Sequence, residues 1–263
     1  MRLSETSPAE KFGGRLTQID DYLELDDLGL NRATLPATQP GPVVLLGAPG
    51  VGKGTQAEAL ASLWNIPTIS TGEILRANVK NATALGTQAD KAMKRGELVP
   101  DRLITEMVAA RLSLPDTASG FILDGFPRTI QQAHWLDGHQ AIHHSNNPLV
   151  VINMYMDPER IAERITHRRV CPCCNMVYSE LAKPPKRDGR CDNDNTVLIQ
   201  RSDDRLEVLH ERLNVFTQKT APLIEHHQHY ALFIMTNADR PAHVVTRSIV
   251  AALADRHKLM NES

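Results

Sequence analysis

The segment of residues 47–55, which reads GAPGVGKGT, has the composition of a loop that binds phosphate groups. Its four glycines allow the backbone to curl so that successive N–H groups point inward, and a helix beginning at its end would add positive potential. Lys53 supplies a mobile charge for the terminal phosphates. A general phosphate loop has Ser or Thr directly after this lysine, whereas this chain has Gly54 and then Thr55. The pattern predicts a nucleoside triphosphate site. Because residue 54 is glycine, no hydroxyl at this position can hold magnesium. The alternative interpretation is a glycine-rich turn that binds no ligand.

All four cysteines lie within residues 171–191. Cys171 and Cys174 are separated by two residues, sixteen residues follow, and Cys191 and Asp194 repeat the two-residue spacing. Such paired spacing suits a tetrahedral zinc site, for which three thiolates and a carboxylate are acceptable ligands. Cys173 is a further candidate, but we prefer Cys171 and Cys174 because their spacing lets both side chains converge around one tight turn. In a reducing compartment the clustering favours a metal over disulfides, and the alternative is four unmetallated thiols in a loop.

Further charged side chains could act on a phosphoryl group. Asp124 follows the apolar run 121–123, so its carboxylate would lie at the carboxyl edge of a sheet, where α/β sites form; the alternative is a helix cap. Arg164 and Arg168 are four residues apart and can share one helix face, while Arg201 and Arg212 lie beyond the cysteine segment. Taken singly, each arginine would be a solvated surface charge. Together they predict a site that aligns and neutralises a transferred phosphoryl group.

The elements that must position these residues follow from short apolar runs. Residues 43–46 predict a buried strand before the glycine loop, and residues 53–64 predict the helix after it. Further strands are expected at 121–123, 149–152 and 231–234, and a closing amphipathic helix at 241–257, with Val245, Ile249 and Leu253 on its apolar face. Strands alternating with helices predict an α/β fold whose parallel sheet is covered on both faces. Residues 171–204 are polar without helical periodicity and look like an inserted subdomain.

Three motifs give the chain a resemblance to a known family. The glycine loop at 47–55, the segment STGEILR at 70–76 and the segment DGFPRT at 124–129, with Gln132 shortly after, resemble adenylate kinases in wording, order and spacing. The resemblance covers about residues 43–257 and implies a P-loop nucleoside monophosphate kinase fold. It implies a kinase domain at 41–257 that contains an AMP-binding subdomain at 70–99 and a zinc-binding lid at 167–204. Residues 1–40 would be an N-terminal extension and residues 258–263 a tail.

The resemblance also implies an activity: reversible phosphoryl transfer from ATP, bound with Mg²⁺, to AMP, which yields two ADP. It implies catalytic roles for Lys53, Asp124, Arg128, Arg168, Arg201 and Arg212. It implies an ATP site made of Gly50, Val51, Gly52, Lys53, Gly54, Thr55, Arg164, Arg168, Val177, Tyr178 and Arg240. It implies an AMP site made of Thr71, Arg76, Glu97, Leu98, Val99, Gly125, Phe126, Pro127, Arg128, Gln132, Arg201 and Arg212. Cys171, Cys174, Cys191 and Asp194 would hold a structural zinc ion. Asp203 and Asp204 match the lid hinge, and Tyr178 could equally belong to the core of the lid.

Two other functions compete with this interpretation. A kinase for UMP, CMP or GMP has the same fold, but such enzymes commonly have a short lid without metal. A zinc-ribbon binding module that only senses nucleotide is disfavoured by the four arginines and Asp124. The histidines at 134, 139, 143, 144, 226, 227 and 229 have no zinc spacing and are expected at the surface.

Composition excludes several classes of protein. The 263 residues carry a formal net charge of −2, which argues against a nucleic-acid binder, and no apolar run is long enough to span a membrane. Residues 1–40 contain seven acidic against four basic residues, which is unlike a transit peptide. We therefore predict a monomeric cytoplasmic enzyme. Leu16, Ile19 and Leu23 could line a short helix that docks on the main domain, or the whole extension could be disordered.

Overall fold

The computed structural model describes residues 41–143, 148–230 and 232–261. The possible helix at Leu16–Leu23 lies outside these residues.

The centre of the fold is a five-stranded parallel sheet. The strands span Val43–Leu46 (β1), Thr68–Ser70 (β2), Ile122–Asp124 (β3), Val150–Tyr155 (β4), Arg168–Val170 (β5), Val177–Ser179 (β6) and Leu232–Asn237 (β7). The central sheet has the order β2-β3-β1-β4-β7, with every neighbouring pair parallel. All four predicted core strands are present, and the sequence missed β2, a three-residue strand at the sheet edge.

The helices that connect these strands cover the sheet. They span Lys53–Trp64 (α1), Thr71–Lys80 (α2), Ala84–Arg95 (α3), Asp101–Leu112 (α4), Ile130–Asp137 (α5), Gln140–His143 (α6), Pro158–Thr166 (α7), Leu206–Val215 (α8), Pro222–His227 (α9) and Ala242–Asn261 (α10). A π-helical turn at Phe216–Thr220 joins α8 to α9. The predicted apolar face of α10 is buried, and the helix continues through residue 261, so residues 258–261 are helical and do not form a separate tail.

Strand β1 shows how the sheet divides the core into two layers. Val43 and Leu45 pack into a cluster with residues of α1 and α10, whereas Val44 and Leu46 pack into a second cluster with residues of α2 to α5. Successive side chains of a strand point to opposite faces, so a continuously apolar strand fits only between two covered faces. The carboxyl ends of β1 and β3 meet at one edge, because Leu45 pairs with Asp124.

Two insertions stand beside this core. Helices α2 and α3 form the segment at 70–99 that was predicted to bind AMP. The predicted lid at 167–204 contains the antiparallel pair β5–β6 and a small core of Cys171, Tyr178, Cys191 and Leu198. The insertions touch, since Lys80 Nζ donates to the carbonyl oxygen of Pro172 at 3.3 Å. Within the described residues, no helix is both long and apolar enough to cross a membrane.

Candidate active site

The phosphate loop takes the conformation that its glycines predict. Gly52 has a φ of 108°, in the left-handed region that favours glycine, and is the last residue before α1. Lys53 begins α1 and turns back over the loop, where its Nζ donates to the carbonyl oxygens of Gly47 at 2.8 Å and Ala48 at 2.9 Å. No side chain among the described residues caps α1, so its first N–H groups face the loop. This end of the helix therefore stabilises an anion.

The charge of Lys53 is sensitive to pH. Burial lowers the pKa of its ammonium group to about 8; Asp124 opposes the shift, and Arg128 and Arg212 add to it. The lysine is therefore positive at neutral pH in the nucleotide-free protein and loses its charge as the pH rises through about 8.

This titration predicts a pH profile. The kcat/KM for MgATP should be level below pH 7.5 and fall about tenfold per pH unit well above pH 8, because kcat/KM reports the ionisation of the free enzyme. Initial rates between pH 6.5 and 9.5 measure it. In Lys53→Arg the fall should disappear from this range, whatever the absolute rate, because a guanidinium stays charged there. A wild-type profile that stays level to pH 9.5 would contradict a lowered pKa.

Asp124 lies beside the loop. It ends β3, and a Cβ placed on Gly54 would lie 3.6 Å from its Oδ2 atom. Ser70 Oγ donates to the same oxygen at 3.4 Å. The next helix, α5, is capped by Thr129. The alternative role of Asp124 as a helix cap is therefore wrong, and the carboxylate occupies the strand-end position predicted for it.

Directly after Asp124, residues 125–128 form a compact turn against α2. Thr71 Oγ1 donates to the carbonyl oxygen of Gly125 at 2.9 Å, and Arg128 Nε donates to the same oxygen at 2.8 Å. Gly125 has a φ of 81°, and a Cβ there would lie 2.8 Å from Arg128 Nη2 and 2.9 Å from Thr71 Oγ1. Only glycine fits this position. Phe126 is fully buried and its peptide bond to Pro127 is cis.

Arg128 is held by a hydrogen-bond network that the sequence did not reveal. Gln132 Oε1 accepts from the backbone N of Arg128 at 2.7 Å, and Gln132 Nε2 donates to Asp101 Oδ1 at 2.7 Å. Asp101 Oδ2 accepts from Thr129 Oγ1, also at 2.7 Å. Thr220 Oγ1 donates to the carbonyl oxygen of Arg128 at 2.9 Å. Asp101 thus fixes the amide orientation of Gln132, and the sequence analysis did not identify it. A proline followed by an acidic residue is typical of a helix start and is the one sequence signal at this position.

The other predicted AMP residues are distributed unevenly. Leu98 and Val99 line a groove that also includes Asp101 and Thr129. Glu97 is instead exposed, and its carboxylate accepts from Arg95 at 2.6 and 2.8 Å. Arg76 packs its guanidinium over Gly72, where a Cβ would lie 3.2 Å from Nη1.

Five predicted arginines bring their charges to one centre. Burial is the main cause that lowers the pKa values of Arg128, Arg201 and Arg212, and neighbouring arginines lower them further. The effect brings the pKa of Arg201 to about 10, with Arg76 and Arg168 as its positive neighbours. The Nε of Arg201 is buried without a hydrogen-bond partner among the described residues. An unpaired, buried guanidinium donor among other cations is a strong site for a polyanion.

Two buried carboxylates, Asp203 and Asp204, form ion pairs with arginines of this centre. Asp204 is fully buried; it accepts from Arg168 Nε at 2.8 Å and from Arg168 Nη2 as well, and lies 3.5 Å from Arg212 Nη1. Arg212 Nη1 also lies 3.2 Å from Asp203 Oδ2.

Arg168 is the first residue of β5, whereas Arg164 lies in α7, so the prediction that the two share a helix face is wrong. Helix α7 ends at Thr166, before the lid begins.

Asp204 should be a large contributor to stability. Asp204→Ala leaves the guanidinium groups of Arg168 and Arg212 buried with less compensating charge, and loss of one partner of a buried pair costs about 3–5 kcal/mol. Urea denaturation measures the change in the free energy of unfolding. The matched control is Asp90→Ala, because Asp90 pairs with Lys94 at the surface and exposed pairs contribute about 0–1 kcal/mol. Equal effects of the two substitutions would show that Asp204 is not a structural anchor.

The remaining predicted ATP residues lie around the lid and the loop after β7. Arg164 approaches the phosphate loop, since a Cβ on Gly52 would lie 3.9 Å from its Nη1, and it pairs with Asp239 at 3.8 Å. Arg240 is exposed beside Asp239. Tyr178 is buried in the lid core and donates to Cys191 Sγ at 3.4 Å, as the alternative interpretation expected, so its side chain is not available to a nucleotide. Val177 precedes it and is half-buried.

The cysteine segment brings together the predicted metal ligands. Ligand atoms of Cys171, Cys174, Cys191 and Asp194 all lie within 4.8 Å of one another. Cys171 Sγ is 3.3 and 3.4 Å from the carboxylate oxygens of Asp194, and Cys174 Sγ is 3.4 Å from Cys191 Sγ. The backbone N–H groups of Cys173 and Cys174 donate to Cys171 Sγ, both at 3.4 Å. The Cys173 side chain is exposed and outside the cluster. This donor set could hold a metal ion.

Positive groups thus reach one centre from the phosphate loop on one side and from the turn after Asp124 on the other. A concentration of fixed positive groups beside a phosphate loop suits the binding and transfer of phosphoryl groups. The sequence model of the adenylate kinase family matches residues 45–232. The chain belongs to the adenylate kinase family.

Individual relatives agree with the family match. The adenylate kinase of Acetivibrio thermocellus is 43% identical over 213 residues, which are 81% of this chain and 97% of that protein. The enzyme of Acholeplasma laidlawii is 41% identical over 215 residues, 81% of this chain and 98% of that protein. That of Kosmotoga olearia is 43% identical over 208 residues, 79% and 96% respectively. This chain is accordingly a phosphotransferase that moves a phosphoryl group reversibly between ATP, used with Mg²⁺, and AMP.

Proposed function

We propose how the residues of this site divide the transfer between ATP and AMP. Lys53 and the loop N–H groups hold the β- and γ-phosphates of ATP, and Arg128 holds the phosphate of AMP. Arg168, Arg201 and Arg212 neutralise the charge that spreads over the transferred group. An oxygen of the AMP phosphate attacks the γ-phosphorus, and the bond from that phosphorus to the bridging oxygen of ADP breaks. Magnesium bound with ATP would neutralise phosphate charge, and we propose that Asp124 would orient it through water.

The observation that carries this proposal is the unpaired Nε of Arg201. It is buried, burial and the neighbouring charges of Arg76 and Arg168 lower the pKa of this arginine, and Asp203 and Asp204 beside the hinge compensate only part of the positive charge. Such an arrangement is costly unless an anion occupies the centre. The phosphates of two nucleotides supply that charge, so the site is built for the bound state.

The acceptor side is proposed to recognise AMP through residues of the turn after Asp124. Thr71 and Gln132 are buried and shape this turn around Gly125 and Arg128. We propose Arg76, Leu98, Val99, Phe126 and Pro127 as further walls of the AMP site. The side chain of Glu97 can bind AMP only if its ion pair with Arg95 opens; otherwise the backbone of Glu97 must make the contact with AMP. Gly50, Val51, Gly52, Gly54, Thr55, Arg164, Val177, Tyr178 and Arg240 complete the proposed ATP site, the last three through backbone or surface contacts.

The lid is proposed to hold zinc. Three thiolates and a carboxylate with paired spacing form a closed tetrahedral set, which leaves no position for substrate or water. The ion would therefore be structural. We also keep a monomeric state and a cytoplasmic location as predictions from the sequence.

Acceptor specificity is tested by a coupled assay of ADP formation. With MgATP, AMP should give the highest kcat/KM among AMP, GMP, CMP and UMP, and two ADP should form per AMP consumed. Gln132→Ala should lower kcat/KM for AMP more than that for MgATP, because Gln132 lies on the acceptor side and holds Arg128. Faster turnover with UMP or CMP than with AMP would overturn the proposed acceptor site.

A further inference from the structure

A second cluster of metal-ligating side chains lies far from the lid, where helix α9 packs against α5. Asp137, at the end of α5, and His226 and His227, at the end of α9, each bring one ligand atom within 4.8 Å of the others. His226 Nε2 lies 2.9 Å from Asp137 Oδ2. The sequence analysis expected both histidines at the surface, and this prediction is wrong for His227, which is fully buried.

His227 supplies the observation that points to a ligand. Its Nδ1 lies 2.8 Å from the carbonyl oxygen of Leu223 and donates to it, so the ring nitrogen left over is Nε2. That atom is buried and has no hydrogen-bond partner among the described residues. In the neutral imidazole that donates its Nδ1–H to Leu223, Nε2 carries a free lone pair. A buried acceptor without a donor is unfavourable unless a cation or another group meets it.

The surrounding groups are those that support metal ligands in proteins. A ligating histidine usually donates its other N–H to a backbone carbonyl or carboxylate, as His227 does to Leu223. Ligating carboxylates are likewise hydrogen-bonded, and Tyr230 donates to Asp137 Oδ1 at 2.6 Å, which leaves Oδ2 for an ion. The side chains of Asp137 and His226 are partly exposed, so an ion can reach the cluster from solvent.

We propose that Asp137, His226 and His227 form a second metal site, which takes a divalent transition-metal ion such as Zn²⁺. Two imidazoles and one carboxylate suit zinc, copper or nickel better than magnesium or calcium, which prefer oxygen ligands. The ion would replace the hydrogen bond between His226 and Asp137 and would meet the free lone pair of His227. Three protein ligands leave the remaining position to water. The ion would tie α9 to α5, the helix that begins beside Arg128.

Metal analysis of the untagged, full-length protein tests this site. Protein is dialysed against buffer with Zn²⁺ at micromolar concentration, and zinc per chain is measured for wild type and variants. His226→Ala and Asp137→Asn should each bind one zinc fewer than wild type. His229→Ala is the matched control, because His229 is exposed, lies close in sequence and is outside the cluster, and it should bind as much as wild type.

A second measurement separates this site from the lid. Zinc should raise the melting temperature of Cys171→Ser protein, and the rise should vanish when His226→Ala is added. Wild type and His226→Ala with equal zinc content, or a loss of zinc in His229→Ala as large as in His226→Ala, would overturn the proposal. His226→Ala and Asp137→Asn change partly exposed side chains, so the test does not depend on a variant of buried His227 that folds.

Discussion

Replacing Arg128 with alanine should lower kcat/KM for AMP by about 10³–10⁵-fold, the range for loss of an arginine that stabilises phosphoryl transfer. The structure holds the backbone of this residue through Gln132 and Thr220, and its Nε donates to the carbonyl oxygen of Gly125. A guanidinium positioned in this way acts by alignment as well as by charge. Steady-state rates at varied AMP and saturating MgATP measure the loss.

Two further variants show why activity is lost in Arg128→Ala. Arg128→Lys keeps the positive charge but loses the planar fork of donors, so it should recover only part of the activity. Lys94→Ala is the control, because Lys94 is exposed and pairs with Asp90 within the same helix. Its activity should equal that of wild type. A correctly folded Arg128→Ala enzyme within tenfold of wild type would remove Arg128 from the reacting centre.

The parts of this site that the sequence predicted are those determined by local chain geometry. The strand at Val43–Leu46, the helix at Lys53–Trp64 and the loop between them are present as predicted, because glycine conformation and helix starts depend on adjacent residues. The paired spacing likewise predicted the lid cluster, since a tight turn brings together two ligands with two residues between them. Within the glycine loop and within each ligand pair, the interacting residues are close in the chain.

The features that the sequence missed depend on contacts between distant segments. Gln132 and Asp101 are 31 residues apart, and no local pattern shows that one amide orients toward the other carboxylate. Arg168 has the spacing of a helix face with Arg164, but pairing of β5 with β6 ends the helix before it. His227 resembled its exposed neighbours in sequence, and only the packing of α9 on α5 buries it.

The lid shows why a pattern of ligands can be clear while their energetic role needs the structure. Among the described residues, the buried apolar side chains of the lid are Val170, Cys171, Tyr178, Cys191 and Leu198, and two of these are proposed zinc ligands. So small a core cannot hold the loop by burial alone. Zinc binding contributes on the order of 10–16 kcal/mol in isolated finger peptides, and much of it would be used to order the loop.

Cys171→Ser should therefore bind one zinc fewer per chain than wild type and unfold at a markedly lower temperature. Cys173→Ser is the matched control, because this neighbouring thiol is exposed and outside the ligand cluster, and it should keep both the zinc and the melting temperature of wild type. Metal analysis and calorimetry measure the two quantities.

At temperatures below its lowered melting temperature, the Cys171→Ser enzyme should still convert ATP and AMP to ADP. Arg168 is held by Asp204 and Arg212 by Asp203, and neither contact involves a metal ligand. Activity lost at every temperature, in protein whose core remains folded, would mean that the metal orders the reacting arginines as well as the lid. Loss of zinc in Cys173→Ser would instead show that Cys173 binds the metal. The prediction that Cys171 and Cys174 are the ligands on this side would then be wrong. Retained turnover with a lowered melting temperature is the result that a purely structural ion requires, since a closed set of four protein ligands leaves it no contact with the nucleotides.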